Sequence, residues 1–257
     1  MVGDLIIPLG TVHGFMLVLS RVAGVLVFAP IPGVAAAPGI ARVVLSVSLT
    51  LALYTKWPVV SAAPGIGDLI AWALAEFALG VTVGLLISFV TEMFAIAAQA
   101  ISLPAGYTYA SAVDPATNAE SNVLILLAQL ISGLLFFALG LHRQLILALA
   151  RGLDSYPPGQ FSITVSIAQE VLRMGSHVFR LGFELALPIL ALLAMIDISL
   201  ALLGRLNSQI QVIILSFPVK MLVSLALLAS LGAIFPRLFQ KASGPVMAMI
   251  TALLSPG

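Results

Sequence analysis

Five ionisable side chains standing inside apolar runs, Arg21, Glu76, Glu92, Asp197 and Lys220, carry most of the chemistry this sequence can do. A charge at the centre of a bilayer costs about 2.5–3.5 kcal/mol on insertion scales and more without a partner, so Arg21, Glu76 and Glu92 are expected to be buried against protein or to face water. Asp197 lies about eight residues before Arg205, and Lys220 about nine after Gln211, which sets the two at comparable depth on the arms of a hairpin turning at 205–211. An ion pair or a shared network is the expectation there, ahead of a proton relay. Arg173, His177, Arg180 and Glu184 fall at i, i+4, i+7 and i+11, one stripe of a helix whose other face is apolar. That pattern fits an amphipathic helix meeting water or headgroups better than a ligand or proton site, and His177 alone carries no metal signal.

Catalytic constellations are thin. The chain has no cysteine, which excludes disulfides, thiolate metal sites and a Cys nucleophile, and it has no HExxH or GxSxG string. Gly65-Ile66-Gly67-Asp68 matches the GxGD of intramembrane proteases. The match is short, Pro64 and Gly65 put it in a turn, and the second Asp expected earlier in an apolar helix is absent. No catalytic residue, metal ligand or cofactor is assigned. A net charge of +1 provides no basic surface for nucleic acid. A secondary transporter would also place ionisable residues in Pro-broken helices near the midplane and is the alternative class, although the two halves show no convincing inverted repeat.

The elements that must hold these residues are apolar helices. With 61% hydrophobic and 8% charged residues in 257, and a mean hydropathy of +1.18, the composition is that of an integral membrane protein. The start, MVGDLIIPLG, lacks a positive n-region and does not read as a cleaved signal peptide. Residues 69–103 form an apolar run that as one helix would be roughly 50 Å long, against a hydrocarbon core of roughly 30 Å, so one simple span does not account for it. Within it Gly80 and Gly84 make a GxxxG pair suited to close helix packing. Residues 185–220 read as two apolar arms, each with a proline (Pro188, Pro218), around the polar turn Arg205–Gln211. Residues 104–122, PAGYTYASAVDPATNAESN, form a polar segment of small residues without Lys or Arg, set between apolar runs. Periodicity leaves open whether it is an exposed connection or lines or blocks a lumen.

The blocks RVAGVLVFAPIPGVAAAPGIARV, AEFALGVTVG, GYTYASAVDP, LFFALGLHRQLI and LNSQIQVIILSFPVK, in that order and spacing over nearly the whole chain, resemble the FliR family, the membrane subunit of the flagellar type III export gate, whose injectisome counterpart is SctT. From about residue 166 onward the chain also resembles the two-helix gate subunit FliQ, with a Pro in the first arm, a Gln-containing turn and FPVK opening the second. LNSQIQV has Ser208-Gln209 where the family often has Pro-Gln.

The resemblance implies an all-α membrane protein of tilted and Pro-broken helices and helical hairpins. Residues 1–165 would be P-type-like and 166–257 Q-type-like, joined to P-type and Q-type subunits in a larger helical assembly. It implies a non-enzymatic core subunit that forms and plugs a channel for unfolded export substrates, in the bacterial inner membrane and the flagellar basal body, beside cytoplasmic export-gate components. The plug would be the loop of 104–122. In it Gly106, Thr108 and Ser111 give a thin backbone, and Tyr107 and Tyr109 add bulk. Asp114, Pro115, Asn118, Glu120 and Asn122 keep it polar and free of cations. Pro188, Asp197, Arg205, Gln209, Gln211, Pro218 and Lys220 would shape the hairpin and its subunit contacts. Eight of the eleven Lys and Arg lie from Arg143 onward, and Arg205 marks the turn as cytoplasmic.

Overall fold

The computed structural model describes residues 8–29, 39–58, 64–107, 123–155, 161–162, 164–206 and 212–254, with the side chains of 212–215 left aside. Among these the regular structure is entirely helical: α1 (Leu9–Phe28), α2 (Gly39–Ala52), α3 (Ile66–Ala105), α4 (Val123–Ala138), α5 (Leu141–Ser155), α6 (Val165–Leu206), α7 (Val212–Leu231) and α8 (Phe235–Leu254). Short 3-10 turns follow α2 at Tyr54–Lys56 and α7 at Gly232–Ile234. Four helical stretches among the described residues are long and apolar enough to cross a membrane, or five if α4 and α5, bent by 60°, count as one broken span. The all-α membrane class read from composition is what the chain adopts.

α3 runs 40 residues without interruption, about 60 Å at 1.5 Å per residue and twice a hydrocarbon core. Pro104 sits in its last turn, so the helix reaches two residues into the segment that reads as loop. Two of the breaks among the described residues fall at glycines. Gly140, at φ +71°, turns the chain between α4 and α5, and Gly232 opens the 3-10 step between α7 and α8. Pro188 and Pro218 lie inside continuous α6 and α7.

The chain divides into two compact units, one of Met1–Val90, Phe136–Gly175 and Ser243–Gly257, the other of Thr91–Leu135 and Ser176–Ala242. These units record which helices touch. The P-like and Q-like split at 165/166 concerns resemblance and is a separate division.

In the first unit, α1 packs on α2 and on the start of α3. Val18, Val22, Leu26 and Leu53 form its core, with Leu49, Trp57, Ala150 and Leu153 packed against them. α1 and α3 meet backbone to backbone. A Cβ at Gly24 would fall on the Phe77 carbonyl oxygen, one at Gly80 on that of Arg21, and one at Gly84 on that of Val25. Only glycine permits this approach, which explains the GxxxG pair.

In the second unit, Gly182 of α6 lies so close to α3 that a Cβ would stand 2.8 Å from the Met93 carbonyl oxygen. Ser132 of α4 donates to the Thr91 carbonyl at 2.9 Å. Phe94 stacks on Phe239 at 6.0 Å and meets Phe235 edge-on at 5.0 Å. Between these helices lies an apolar cavity of about 360 Å³, lined among others by Phe94, Leu124, Ile131, Leu185 and Leu225.

Candidate functional site

Among the described residues, the five ionisable groups of the apolar runs sort into two ion pairs and one exposed group, Glu92. Arg21 of α1 donates from Nε to Glu76 Oε2 of α3, one turn from the glycine crossing, and both side chains are 1% exposed. Burial against protein, expected for these two, is achieved by their pairing. Arg21 Nη1 and Nη2 lie within the same enclosed space without hydrogen-bond partners among the described residues.

Of the two expected environments, Glu92 does not take burial within the chain. It is exposed on the surface of the second unit, between buried Thr91 and Met93. It shares an outward stripe of α3 with Gln99 and Leu103, seven and eleven positions on, and that phase turns its carboxylate away from the chain's own core. Asp197 of α6 and Lys220 of α7 form the second ion pair, with Lys220 only 11% exposed and Asp197 51%. Matching depth on two hairpin arms brings them together. Arg173, His177, Arg180 and Glu184 lie along α6, with Arg180 and Glu184 paired at 3.4 Å and both more than half exposed.

Lys220 belongs to a further arrangement, at the end of α3. Gly106 has φ +88° and closes the helix: its N–H donates to the Leu103 carbonyl at 3.1 Å, and that of Tyr107 to Ser102 at 3.0 Å. These two bonds satisfy carbonyls that a helix end leaves orphaned. A Cβ at Gly106 would strike the ring of Phe217. Tyr107 donates its hydroxyl to the Met221 carbonyl at 2.9 Å, and Ser224 Oγ stands 3.4 Å from the same hydroxyl. Phe217, Lys220, Met221 and Ser224 occupy i, i+3, i+4 and i+7 of α7, one stripe. The N-terminal root of the segment 104–122 is therefore tied to α7, the hairpin arm that carries Lys220, the ion-pair partner of Asp197.

Sequence reasoning gave Tyr107 to the plug as bulk and missed this anchor. The available signal was Ala105-Gly106 at the end of an apolar helical run, a helix stop. Thr108, Tyr109, Ser111, Asp114, Pro115, Asn118, Glu120 and Asn122 lie outside the described residues, as do Gln209 and Gln211. Arg205 is exposed in the last turn of α6, and Pro188 and Pro218 are exposed within their helices. The GxGD string opens α3, with Asp68 exposed in its first turn. Among the described residues no three His, Asp or Glu side chains gather as a metal site.

Residues 12–245 match the sequence model of the family described as bacterial export proteins, family 1. The chain belongs to that family. Individual relatives are more distant. The flagellar biosynthetic protein FliR of Escherichia coli (strain K12) is 27% identical over 214 residues, covering 83% of this chain and 82% of that protein. The FliR of Pectobacterium carotovorum is 26% identical over 185 residues, 72% and 71% of the two chains. That of Caulobacter vibrioides is 24% identical over 220 residues, 83% and 86%. In this member of the export-protein family the Arg21–Glu76 pair lies in the first unit, and the Asp197–Lys220 pair and the Tyr107 anchor lie in the second.

Proposed function

We propose that this chain is a core subunit of the flagellar type III protein export gate, forming and plugging a channel for unfolded substrates across the bacterial inner membrane at the flagellar basal body. The observation that carries the reading is the family match running from residue 12 to residue 245, through both the α1–α3 crossing and the α6–α7 hairpin. Flagellar relatives align over 83% of the chain.

In this reading residues 1–165 act as the P-type-like part and 166–257 as the Q-type-like part, and P-type and Q-type subunits cover the exposed faces of α6 and α7. Phe179, Phe183, Leu187, Met195, Ile198, Leu202 and Leu222 stand more than 40% exposed there, an apolar surface larger than a solitary chain keeps. The segment 104–122 is the plug, rooted through Gly106 and Tyr107 on α7. A sealing segment must yield to a passing polypeptide, so it is held at its root and carries no apolar core along its length. We assign no catalytic step, metal or cofactor. Cytoplasmic export-gate components meet the polar stretch Arg205–Gln211, which includes Gln209.

Co-expression tests the reading. With P-type and Q-type subunits the chain should purify as one complex, and photocrosslinkers at Gln209 or Gln211 should capture a Q-type or cytoplasmic gate component. A chain that purifies alone, ignores those subunits and binds a small solute in an ion-dependent way would replace the gate with a transporter.

A further inference from the structure

α2 is built inside out. Its buried residues are the hydroxyl-bearing Ser46 and Thr50, 6% and 0% exposed, while Ile40, Val43, Val44 and Leu51 stand 54–74% exposed. The buried hydroxyls need nothing from outside: Ser46 donates to the Arg42 carbonyl at 2.8 Å and Thr50 to that of Ser46 at 2.7 Å. A helix that turns its polar stripe inward and its branched aliphatics outward matches an apolar surrounding, not water.

The end of α2 says which apolar surrounding. In the 3-10 turn Tyr54 is 63% exposed and packs edge-on against Trp57 at 5.1 Å. Trp57 donates Nε1 to the Thr50 carbonyl at 2.9 Å and leans on Phe15 of α1. Between them Lys56 reaches Asp154 at 2.6 Å, with both side chains about half exposed. Aromatic rings with a polar tip beside a cation are what proteins place at the boundary between hydrocarbon and headgroups. The helix that leads to this belt is 14 residues, about 21 Å, so its outward face extends from headgroup level past the middle of a bilayer.

The chain also displays what a close helix-to-helix contact looks like, and α2 differs. Where α1 meets α3, Gly24, Gly80 and Gly84 let the backbones touch. Between its exposed terminal residues Gly39 and Ala52, the outward face of α2 is of branched aliphatics with a single hydroxyl, Ser48, and Gly39 approaches no other helix. We propose that this face contacts lipid: Ile40, Val43, Val44 and Leu51 lie against acyl chains, and Tyr54, Lys56 and Trp57 sit at headgroup level.

Because the chain has no cysteine, single cysteines at Val43, Val44 and Leu51 can carry nitroxide labels in the complex as purified, reconstituted in lipid nanodiscs. Collision with oxygen should exceed collision with a water-soluble nickel chelate several-fold at all three sites. Low collision with both reagents would mean that protein covers the face, and high collision with the chelate would mean water; either overturns the proposal. Trp57 supplies a second reading that leaves the face unaltered. In a Trp72→Phe chain, Trp57 fluorescence should be quenched more by lipids with a shallow spin label than by those labelled near the chain end. Equal or absent quenching would overturn the headgroup placement. Neither outcome depends on what the complex exports.

Discussion

The α1–α3 crossing and the α6–α7 hairpin are both made of apolar helix, and they are finished in opposite ways. In the most apolar stretch of α1, as in that of α3, 44% of the residues are buried within the chain; for α6 the figure is 17%, and for residues 216–254 it is 11%. The crossing is closed by three glycines and a fully buried ion pair. The hairpin is pinned by a half-exposed pair and leaves its large aliphatics uncovered. The crossing has the packing of a frame, whereas the uncovered faces of the hairpin are those that the proposed P-type and Q-type subunits would cover.

The largest effect expected from breaking this contrast comes from Gly80→Leu. The new side chain meets the α1 backbone at Arg21, which no rotamer relieves, so the variant should fail to accumulate in membranes on a quantitative immunoblot. Normal accumulation would mean that the crossing is looser than described. Next is Arg21→Met, which leaves Glu76 charged and buried and should cost about 3–5 kcal/mol, read as a lower thermal midpoint of the solubilised chain. Arg21→Met with Glu76→Leu should recover most of that loss. If the double variant is no better than the single one, the pair is not the reason for the burial.

Leu202→Ser tests the other side of the comparison. Leu202 is 58% exposed, so the chain alone should be unaffected, while association with Q-type subunits should weaken by about 1.5–3 kcal/mol, beyond tenfold in pull-down affinity. A destabilised solitary chain with intact association would reverse the assignment. Tyr107→Phe is the mildest change, removing one hydrogen bond to the Met221 carbonyl worth about 0.5–1.5 kcal/mol. Faster amide exchange confined to residues 103–107 is the expected sign, and unchanged exchange would detach the segment's root from α7.

Much of the frame was legible in the sequence because its signals are local. GVTVG names the close approach, and apolar length names the helix. Asp197 and Lys220 can be placed at one depth by counting from the turn. The partner of Glu76 was not legible, since 55 residues separate it from Arg21 and periodicity carries no information about which helices touch. For Glu92 the composition of the run leaves burial and water contact both open, and helix phase, three residues per turn and a fraction, turns it outward beside buried Thr91 and Met93. Pro188 and Pro218 suggested breaks, yet the chain turns at Gly140 and steps at Gly232. A proline within a helix forfeits one hydrogen bond, and exposed positions leave room for its ring, whereas Gly140 adopts a φ of +71° that other residues resist. Tyr107 looked like plug bulk because its partner, Met221, lies 114 residues away.

The account rests most heavily on the segment that begins at this anchor. Deleting residues within Tyr109–Glu120, while keeping Gly106 and Tyr107, should leave assembly intact because the segment consists mostly of small and polar residues with little apolar surface to bury. The measurement is influx of a small solute or of ions into cells that express the whole gate, with assembly checked by co-purification. Influx should rise above the parent only when all gate subunits are present. An assembled complex carrying the deletion that stays as tight as the parent would contradict the plug and leave 104–122 as an ordinary connection.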